Sequence, residues 1–304
     1  MGFKLTILGA NSAIPVGKRL PTSQILEFNQ HRYMIDCGEG AQLQIRKNKI
    51  KIQALKAIFI SHLHGDHYFG LFGLLGTMNL LGRTLPLKIF SVPGLKEMVA
   101  LQLKAARSNY NYPIEFIELS TGASELIYED SVIEVRTIPL IHRVPTNGFL
   151  FKEKESPRKI KKFYVEELKI PIVEINNIKE GADYTHSNGM KYLNEELTTS
   201  PAKAWSYAFC SDTKYTEKII PVIKNVDVLY HEATFLDSEK KRAKQTMHST
   251  TKQAGKIAQL ANVGELIIGH YSARYKELDL HLDETKEEFE NTHLAIEDKQ
   301  FNYL

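Results

Sequence analysis

Cysteine is scarce in this chain of 304 residues. Only Cys37 and Cys210 are present, too few for a disulfide-stapled fold, and free thiols in a reducing compartment are the expectation. No apolar run approaches the ~20 residues that a membrane-crossing helix needs, which excludes transmembrane helices. The start, Met1-Gly2-Phe3-Lys4-Leu5, enters alternating residues directly and has no hydrophobic signal segment. A cytoplasmic protein without membrane attachment is therefore expected. Low-complexity tracts and short repeats are also missing. What remains, 43% hydrophobic and 25% charged, suits one large domain with or without an insertion.

Charge of one sign is nearly balanced at +3, but the balance is uneven along the chain. Residues 276–304 hold nine acids against three lysines and carry −6, which leaves +9 on residues 1–275. No pattern assigns that acidic tail a role. Six cations, Lys152, Lys154, Arg158, Lys159, Lys161 and Lys162, fall within eleven positions. Such a run is a solvated surface or a polyanion-binding arm.

Alternation in Phe3–Ile7 predicts a strand, and a second is expected around Gln24–Ile35, ending at Asp36-Cys37-Gly38-Glu39-Gly40. Ala57–Ser61 reads as a buried strand feeding a loop. Further strands are predicted near Ile114–Leu119, Val132–Ile138, Trp205–Cys210, Val226–Tyr230 and Leu266–Ile268. Helices are predicted after Pro93-Gly94, at Tyr215–Lys224 and at Thr251–Ala261. Residues 151–195 show no clean period and are read as an arm inserted into a single domain spanning 1–304. Mixed strands and helices in two comparable halves point to an α/β fold with two sheets sandwiched between helices.

The strongest chemical signal is Ser61-His62-Leu63-His64-Gly65-Asp66-His67, with four metal-ligand residues in six positions after a strand. Imidazole and carboxylate suit a borderline cation such as zinc, and this density favours a catalytic site. His142, Asp212 and His270 also follow strand ends. Together they complete two sites, in which a shared carboxylate can bridge two cations.

H-x-H-x-D-H with a later His, Asp and His resembles the ligand set of the metallo-β-lactamase fold. Within that superfamily the chain resembles the ribonuclease Z family of tRNA 3′-processing endonucleases. The supporting stretches are Leu8-Gly9-Ala10-Asn11-Ser12-Ala13-Ile14-Pro15, Ile35–Gly40, His231-Glu232-Ala233-Thr234-Phe235, His248-Ser249-Thr250 and His270-Tyr271-Ser272-Ala273-Arg274-Tyr275. The resemblance implies an αββα sandwich and two zinc ions per subunit, with manganese able to substitute in vitro. It assigns His62, His64 and His142 to one ion, Asp66, His67 and His270 to the other, and Asp212 to both. Metal-activated hydroxide would attack the phosphodiester, with Asp66 as ligand or base, removing the 3′ trailer of precursor tRNA and leaving a tRNA 3′-hydroxyl.

His248 is the candidate donor of a proton to the leaving alkoxide, with Glu232 holding its ring. Ser249 and Thr250 stand where a helix start would bind phosphate. Asp36 either orients a ligand histidine or is a simple turn residue, and His231 reads as structural support. Arg274 either meets phosphate or pairs with an acid. His31, His186, His281 and His293 lie outside every motif and are read as surface residues.

The resemblance further implies a homodimer whose inserted arm grips tRNA, with Arg158, Lys159, Lys161 and Lys162 as phosphate contacts. The arm lacks the Gly-Pro-rich tip of the bacterial pattern; Ile170-Pro171-Ile172-Val173-Glu174 stands there instead. Lys18 and Arg19 match a loop associated with the tRNA 3′ end, although Leu20 replaces its asparagine. A small ester, thioester or sulfate-ester hydrolase of the same fold is the alternative, and would need neither the basic arm nor the His248–Glu232 pair. A noncatalytic RNA-binding relative ranks last, because all seven ligands are present.

Overall fold

The computed structural model describes residues 2–303. The described residues form two compact units, one of residues 2–152 with 205–303 and one of Glu153–Ala204. The larger unit contains two seven-stranded sheets. In chain position, the first runs Gln300–Tyr303, Phe3–Gly9, Ser23–Phe28, His31–Cys37, Leu55–Phe59, Leu87–Ser91, Ile114–Glu118. The second runs Thr292–Leu294, Glu265–Gly269, Val228–Glu232, Ser206–Cys210, Asn147–Glu153, Ile133–Pro139, Leu126–Glu129.

Side-chain alternation explains the layers. Phe3, Leu5, Ile7, Tyr33, Ile35 and Phe59 enter the core shared with Ile133, Val135, Phe149, Phe151, Tyr207 and Phe209 of the second sheet. Their neighbours Leu8, Met34, Ile58 and Ile60 face the other way, against Leu71, Leu74, Leu75 and Met78 of the helix Gly65–Leu80 and Leu95 and Val99 of Leu95–Ala106. On the far side, Ala254, Ile257, Ala258 and Ala261 of the helix Thr251–Ala261 cover the second sheet. Both faces of the central strands are thus buried, which gives the helix–sheet–sheet–helix order expected of the α/β chain.

Three expectations about secondary structure need correction. The strand expected over Gln24–Ile35 is a hairpin, Ser23–Phe28 and His31–Cys37, turned by Asn29 and Gln30 at φ of 45° and 72°. Two successive left-handed residues match the twist of a two-residue hairpin, with Asn the tolerant one. The helix expected over Tyr215–Lys224 shrinks to a 3-10 turn, Glu217–Ile219, and Ile220–Ile223, because Pro221 can sit only in a first helical turn. The loop expected after Ser61 is cut short, since Gly65–Leu80 is a helix of 16 residues.

The acidic tail is structural. Thr292–Leu294 extends the second sheet and Gln300–Tyr303 extends the first, so one segment stitches both. Glu297 accepts the backbone N–H groups of Ala10 and Leu20. Glu284 accepts the N–H of Asp237 and the hydroxyl of Thr251. His281, expected at the surface, is fully buried against Tyr271 and Tyr275 at 5.3 and 4.6 Å, because the helix Asp279–Lys286 turns that position inward.

The unit Glu153–Ala204 has its own small core of Ile170, Ile178, Tyr184 and Leu197. Two helices, Lys162–Glu167 and Ile172–Lys179, accompany the short antiparallel pairs Lys159–Ile160 with Thr198–Thr199 and Tyr184–Thr185 with Lys191–Tyr192. Pro171 precedes the second helix, whose Ile172 and Val173 are exposed.

Candidate metal centre and its surroundings

Strand ends deliver the ligand residues. Leu55–Phe59 leads into Ser61 and His62, His64 caps the helix Gly65–Leu80, and Asp66 and His67 lie in its first turn. His142, Asp212 and His270 follow Ile133–Pro139, Ser206–Cys210 and Glu265–Gly269. Asp36, Asp212, His270 and Ala13 have left-handed φ of 53°, 52°, 60° and 63°. Such backbone costs on the order of 1–3 kcal/mol per residue and persists only where surrounding structure imposes it.

Two ligand groups form, each with its ligand atoms within 4.8 Å of one another: His62, His64, His142 and Asp212, then Asp66, His67 and His270. In the first, His62 Nε2 and His142 Nε2 approach His64 Nδ1 at 2.9 and 3.3 Å, and both lie 3.6 Å from Asp212 Oδ2. In the second, His67 Nε2 and His270 Nε2 lie 3.6 Å from Asp66 Oδ2 and 3.2 and 3.0 Å from Asp212 Oδ1. Asp212 therefore turns one oxygen to each group. A tetrahedral ion with bonds of ~2.0–2.1 Å sets its ligand atoms about 3.3 Å apart, the spacing of these edges.

The chemistry of the donors fits a cation. His67 Nε2 and His270 Nε2 are buried beside carboxylate oxygens yet make no hydrogen bond, so their lone pairs converge on a point instead of on each other. Burial lowers His62, His64 and His142 below the usual imidazole range, which keeps them neutral donors. Burial opposes a charge on His67 and His270 as well, but the Asp212 and Asp66 carboxylates outweigh it. They hold His67 well above its ordinary value and push His270 up to about 10. Excess buried negative charge thus draws protons here, and a divalent cation would displace them. His248 also falls within ligand distance of Asp212 and His270, with its Nδ1 bonded to Glu232.

A ring of hydrogen bonds aims the ligands. Asp36 accepts from His67 Nδ1 at 2.7 Å, from the Ser61 N–H at 2.7 Å and from Ser61 Oγ at 2.9 Å. His142 Nδ1 donates to the Met247 carbonyl. The Ala13 N–H, in a residue of left-handed backbone, donates to Asp66 Oδ2 at 2.7 Å. Glu232, fully buried, accepts His248 Nδ1 at 2.9 Å, the Thr213 N–H at 2.6 Å, the Ser249 N–H at 3.1 Å and the Thr234 hydroxyl at 2.5 Å. Thr234 Oγ1 in turn lies 3.0 Å from His270 Nδ1, joining the two halves of the network. Burial works against the Glu232 charge, but His248, with a smaller contribution from His270, holds it below the usual carboxylate value. His231 is buried with Nδ1 on the Glu232 carbonyl.

Sequence reasoning attached no role to Thr234, Thr213 or Ala13, which act through hydroxyl or backbone groups that any residue type disguises. The pocket over the site, about 330 Å³, is lined by Ser12, Ala13, His64, Gly65, Asp66, Phe69, Arg143, Asp212 and His248. Ser249 and Thr250 lie off this wall. Ser249 donates Oγ to the Thr213 carbonyl, while Thr250 caps the helix Thr251–Ala261 and bonds Asp237. Arg274 pairs with Glu239 at 3.1 Å, and Arg19 turns inward to the Tyr275 carbonyl, leaving Lys18 exposed. In the unit Glu153–Ala204, Arg158 bonds Thr198, Lys161 bonds the Glu196 carbonyl, Lys162 lies 3.4 Å from Glu166, and Lys159 is exposed.

Ribonuclease Z of Phocaeicola vulgatus is 47% identical over 97% of this chain and 96% of its own, and that of Bacteroides thetaiotaomicron is 47% identical over 97% and 93%. The chain belongs to the ribonuclease Z family. Among solved structures, the short form of human tRNase Z superposes with a TM-score of 0.71 at 25% identity, covering 98% of each chain. The metallo-β-lactamase fold protein YhfI of Bacillus subtilis superposes with a TM-score of 0.69 at 17% identity, covering 99% of this chain and 100% of that one, and bears on fold alone. The family model described as anti-Pycsar protein Apyc1 matches residues 3–137. That match ends before His142, Asp212, Glu232, His248 and His270, so it does not reach the second half of the site. The ribonuclease Z relatives span both halves, and the fold is the metallo-β-lactamase sandwich. Among the described residues no helix is long and apolar enough to cross a membrane.

Proposed function

We propose that this ribonuclease Z relative is a metal-dependent endoribonuclease that removes the 3′ trailer of precursor tRNA and leaves a 3′-hydroxyl on the tRNA. The observation that carries the reading is the Asp212 carboxylate shared between two ligand groups, with the Glu232–His248 pair on the same pocket. On this reading His62, His64 and His142 would hold one zinc ion, Asp66, His67 and His270 would hold the other, and Asp212 would serve both. Bound there, two divalent cations would neutralise charge building on the phosphate oxygens and make a water easier to deprotonate.

The rest of the chemistry belongs to the chain. Asp66, steadied by the Ala13 N–H, orients the attacking oxygen. Glu232 fixes the His248 ring through Nδ1, which leaves Nε2 to deliver a proton to the departing O3′. A neutral lactam or thioester has less use for a buried carboxylate that raises an imidazole above its ordinary value against the effect of burial. Lys18 and Lys159, both exposed, suit binding to the RNA backbone. The unit Glu153–Ala204 would grip tRNA with Arg158, Lys159, Lys161 and Lys162, and two copies would pair as a cytoplasmic homodimer.

Purified protein of measured metal content, incubated with 3′-extended precursor tRNA beside Asp66→Ala and His248→Ala, tests the reading. Cleavage after the discriminator base, abolished by the first change and slowed ~10²–10⁴-fold by the second, is expected. Bound zinc without RNA cleavage would overturn it in favour of a small-ester hydrolase.

A further inference from the structure

His248 lines two depressions at once. One is the pocket over the ligand groups; the other, about 270 Å³, is lined by Lys214, Tyr215, Lys240, Lys244, Gln253 and His248 itself. Lys240 and Lys244 stand four residues apart on the helix Lys240–Thr246 and so share a face. Lys214 comes from the loop just past Asp212. Among the described residues none of these three lysines has a carboxylate within ion-pair distance. The nearby acids are otherwise engaged: Glu239 with Arg274, Glu217 with the Tyr215 hydroxyl at 2.7 Å, and Asp237 with Thr250. Three uncompensated cations around one concavity repel each other, and an anion seated among them removes that repulsion.

The direction of bond breaking decides which anion. The inference rests on the reading above, in which the tRNA keeps the 3′-hydroxyl. The P–O3′ bond then breaks, the attacking water oxygen stays on phosphorus as the trailer's 5′-phosphate, and O3′ takes a proton from His248. The proton lost by the water restores the balance. The departing oxygen must face His248, so the nucleotide that carries it lies beyond that ring, away from the ligand groups.

We propose that the Lys214–Lys240–Lys244 pocket holds the nucleotide on the 5′ side of the cut, its own backbone phosphate neutralised by the three lysines. Tyr215, with its hydroxyl tied to Glu217, supplies a fixed ring against the base or ribose. His248 is thereby placed between the reacting phosphate and its neighbour one linkage upstream.

Precursor tRNAs carrying one uncharged methylphosphonate linkage test this, placed either one linkage upstream of the cut or one downstream in the trailer. They are cleaved by the wild type, by the Lys214→Gln/Lys240→Gln/Lys244→Gln variant and by a Lys241→Gln/Arg242→Gln control from the same helix. The expected result is a ~10-fold or greater fall in wild-type kcat/KM with the upstream neutral linkage. The triple variant should fall comparably or further on unmodified RNA and lose nothing more with the upstream neutral linkage. Its slope of log KM against log salt should drop by about 0.7 for each phosphate that it no longer neutralises. The control should match wild type, and unchanged thermal melting shows that the triple variant is folded. A triple variant with a wild-type salt slope and full sensitivity to the upstream linkage overturns the proposal. So does sensitivity confined to the trailer linkage. Failure of the wild type to cut unmodified precursor RNA overturns instead the reading beneath it.

Discussion

The ligand groups and the Glu232 network sit side by side but satisfy their charges in opposite ways. Around Glu232, a buried carboxylate meets two N–H groups, a hydroxyl and an imidazole, all supplied by the chain. Around Asp212, carboxylate oxygens and imidazole nitrogens crowd together, with His67 Nε2 and His270 Nε2 left without a hydrogen bond. The first arrangement is complete as a protein; the second needs something from outside. Folding and catalysis therefore draw on these neighbours differently. Losing a ligand should cost metal first, whereas losing the hub should cost the fold first.

Asp212→Ala gives the largest effect. Both ligand groups lose an oxygen, so bound metal should fall to trace levels by elemental analysis and kcat/KM by on the order of 10⁴-fold or more. The fold should survive, because the change removes a buried carboxylate whose charge is otherwise met by the crowded imidazoles and the Ser211 hydroxyl; thermal melting near wild type checks this. Full metal content in the variant would show that Asp212 does not bridge.

Glu232→Ala is the converse. It strands the Thr213 and Ser249 N–H groups in a dry interior, and a loss of about 3–5 kcal/mol in unfolding free energy is expected. A denaturant titration measures it, and a loss below ~1 kcal/mol would mean that water replaces the carboxylate. Asp36→Asn tests the boundary between the two arrangements, since Asp36 belongs to the chain but serves a ligand. Metal affinity should weaken about 10–100-fold by competition with a chelator, with every ligand residue still in place. An unchanged affinity would make Asp36 a turn residue only.

Much of this was legible in the sequence because the ligands lie at strand ends, where alternating apolar runs stop at a polar residue. His62, His64, Asp66 and His67 stood out by their spacing, whereas His142, Asp212 and His270 stood out by their positions after strands only as a set and with the family resemblance beside them. The helix Gly65–Leu80 was not legible. Gly70, Gly73 and Gly76 argue against a helix by propensity, and the packing that requires one of them is distant in sequence. A Cβ on Gly70 would lie 2.2 Å from the Gly38 carbonyl oxygen. Thr234 and Ala13 escaped because they act through groups with no motif. The acidic tail escaped because its acids cap amides far back in the chain, a pairing that charge counting does not reveal. His281 was misplaced because a lone histidine among acids reads as polar surface, and only the helix face decides otherwise.

A second self-contained network, away from the metal centre, sharpens the contrast with the smallest expected effect. Asp130 accepts from the Tyr33 hydroxyl at 2.6 Å, the Tyr128 hydroxyl at 3.0 Å and the Val132 and Ile133 N–H groups at 2.7 and 3.0 Å. Burial works to raise its pKa, but these donors outweigh it and hold the carboxyl down at about 2. An acid whose folded value lies below its unfolded value contributes stability that is full above the unfolded value, near 3.9, and is lost as pH falls through the folded one. Asp130→Asn should therefore cost about 1–2 kcal/mol at pH 7, a figure reduced for the solvent that reaches the group. Because His31 Nδ1 also lies 3.1 Å from Asp130 Oδ2, the comparison is read below pH 5, and the difference from wild type should narrow below pH ~4. Urea titrations at several pH values read it directly. A gap that instead widened below pH ~4 would mean that the folded carboxyl titrates above its unfolded value, so that the tyrosines at Asp130 do not satisfy the charge as the donors at Glu232 do.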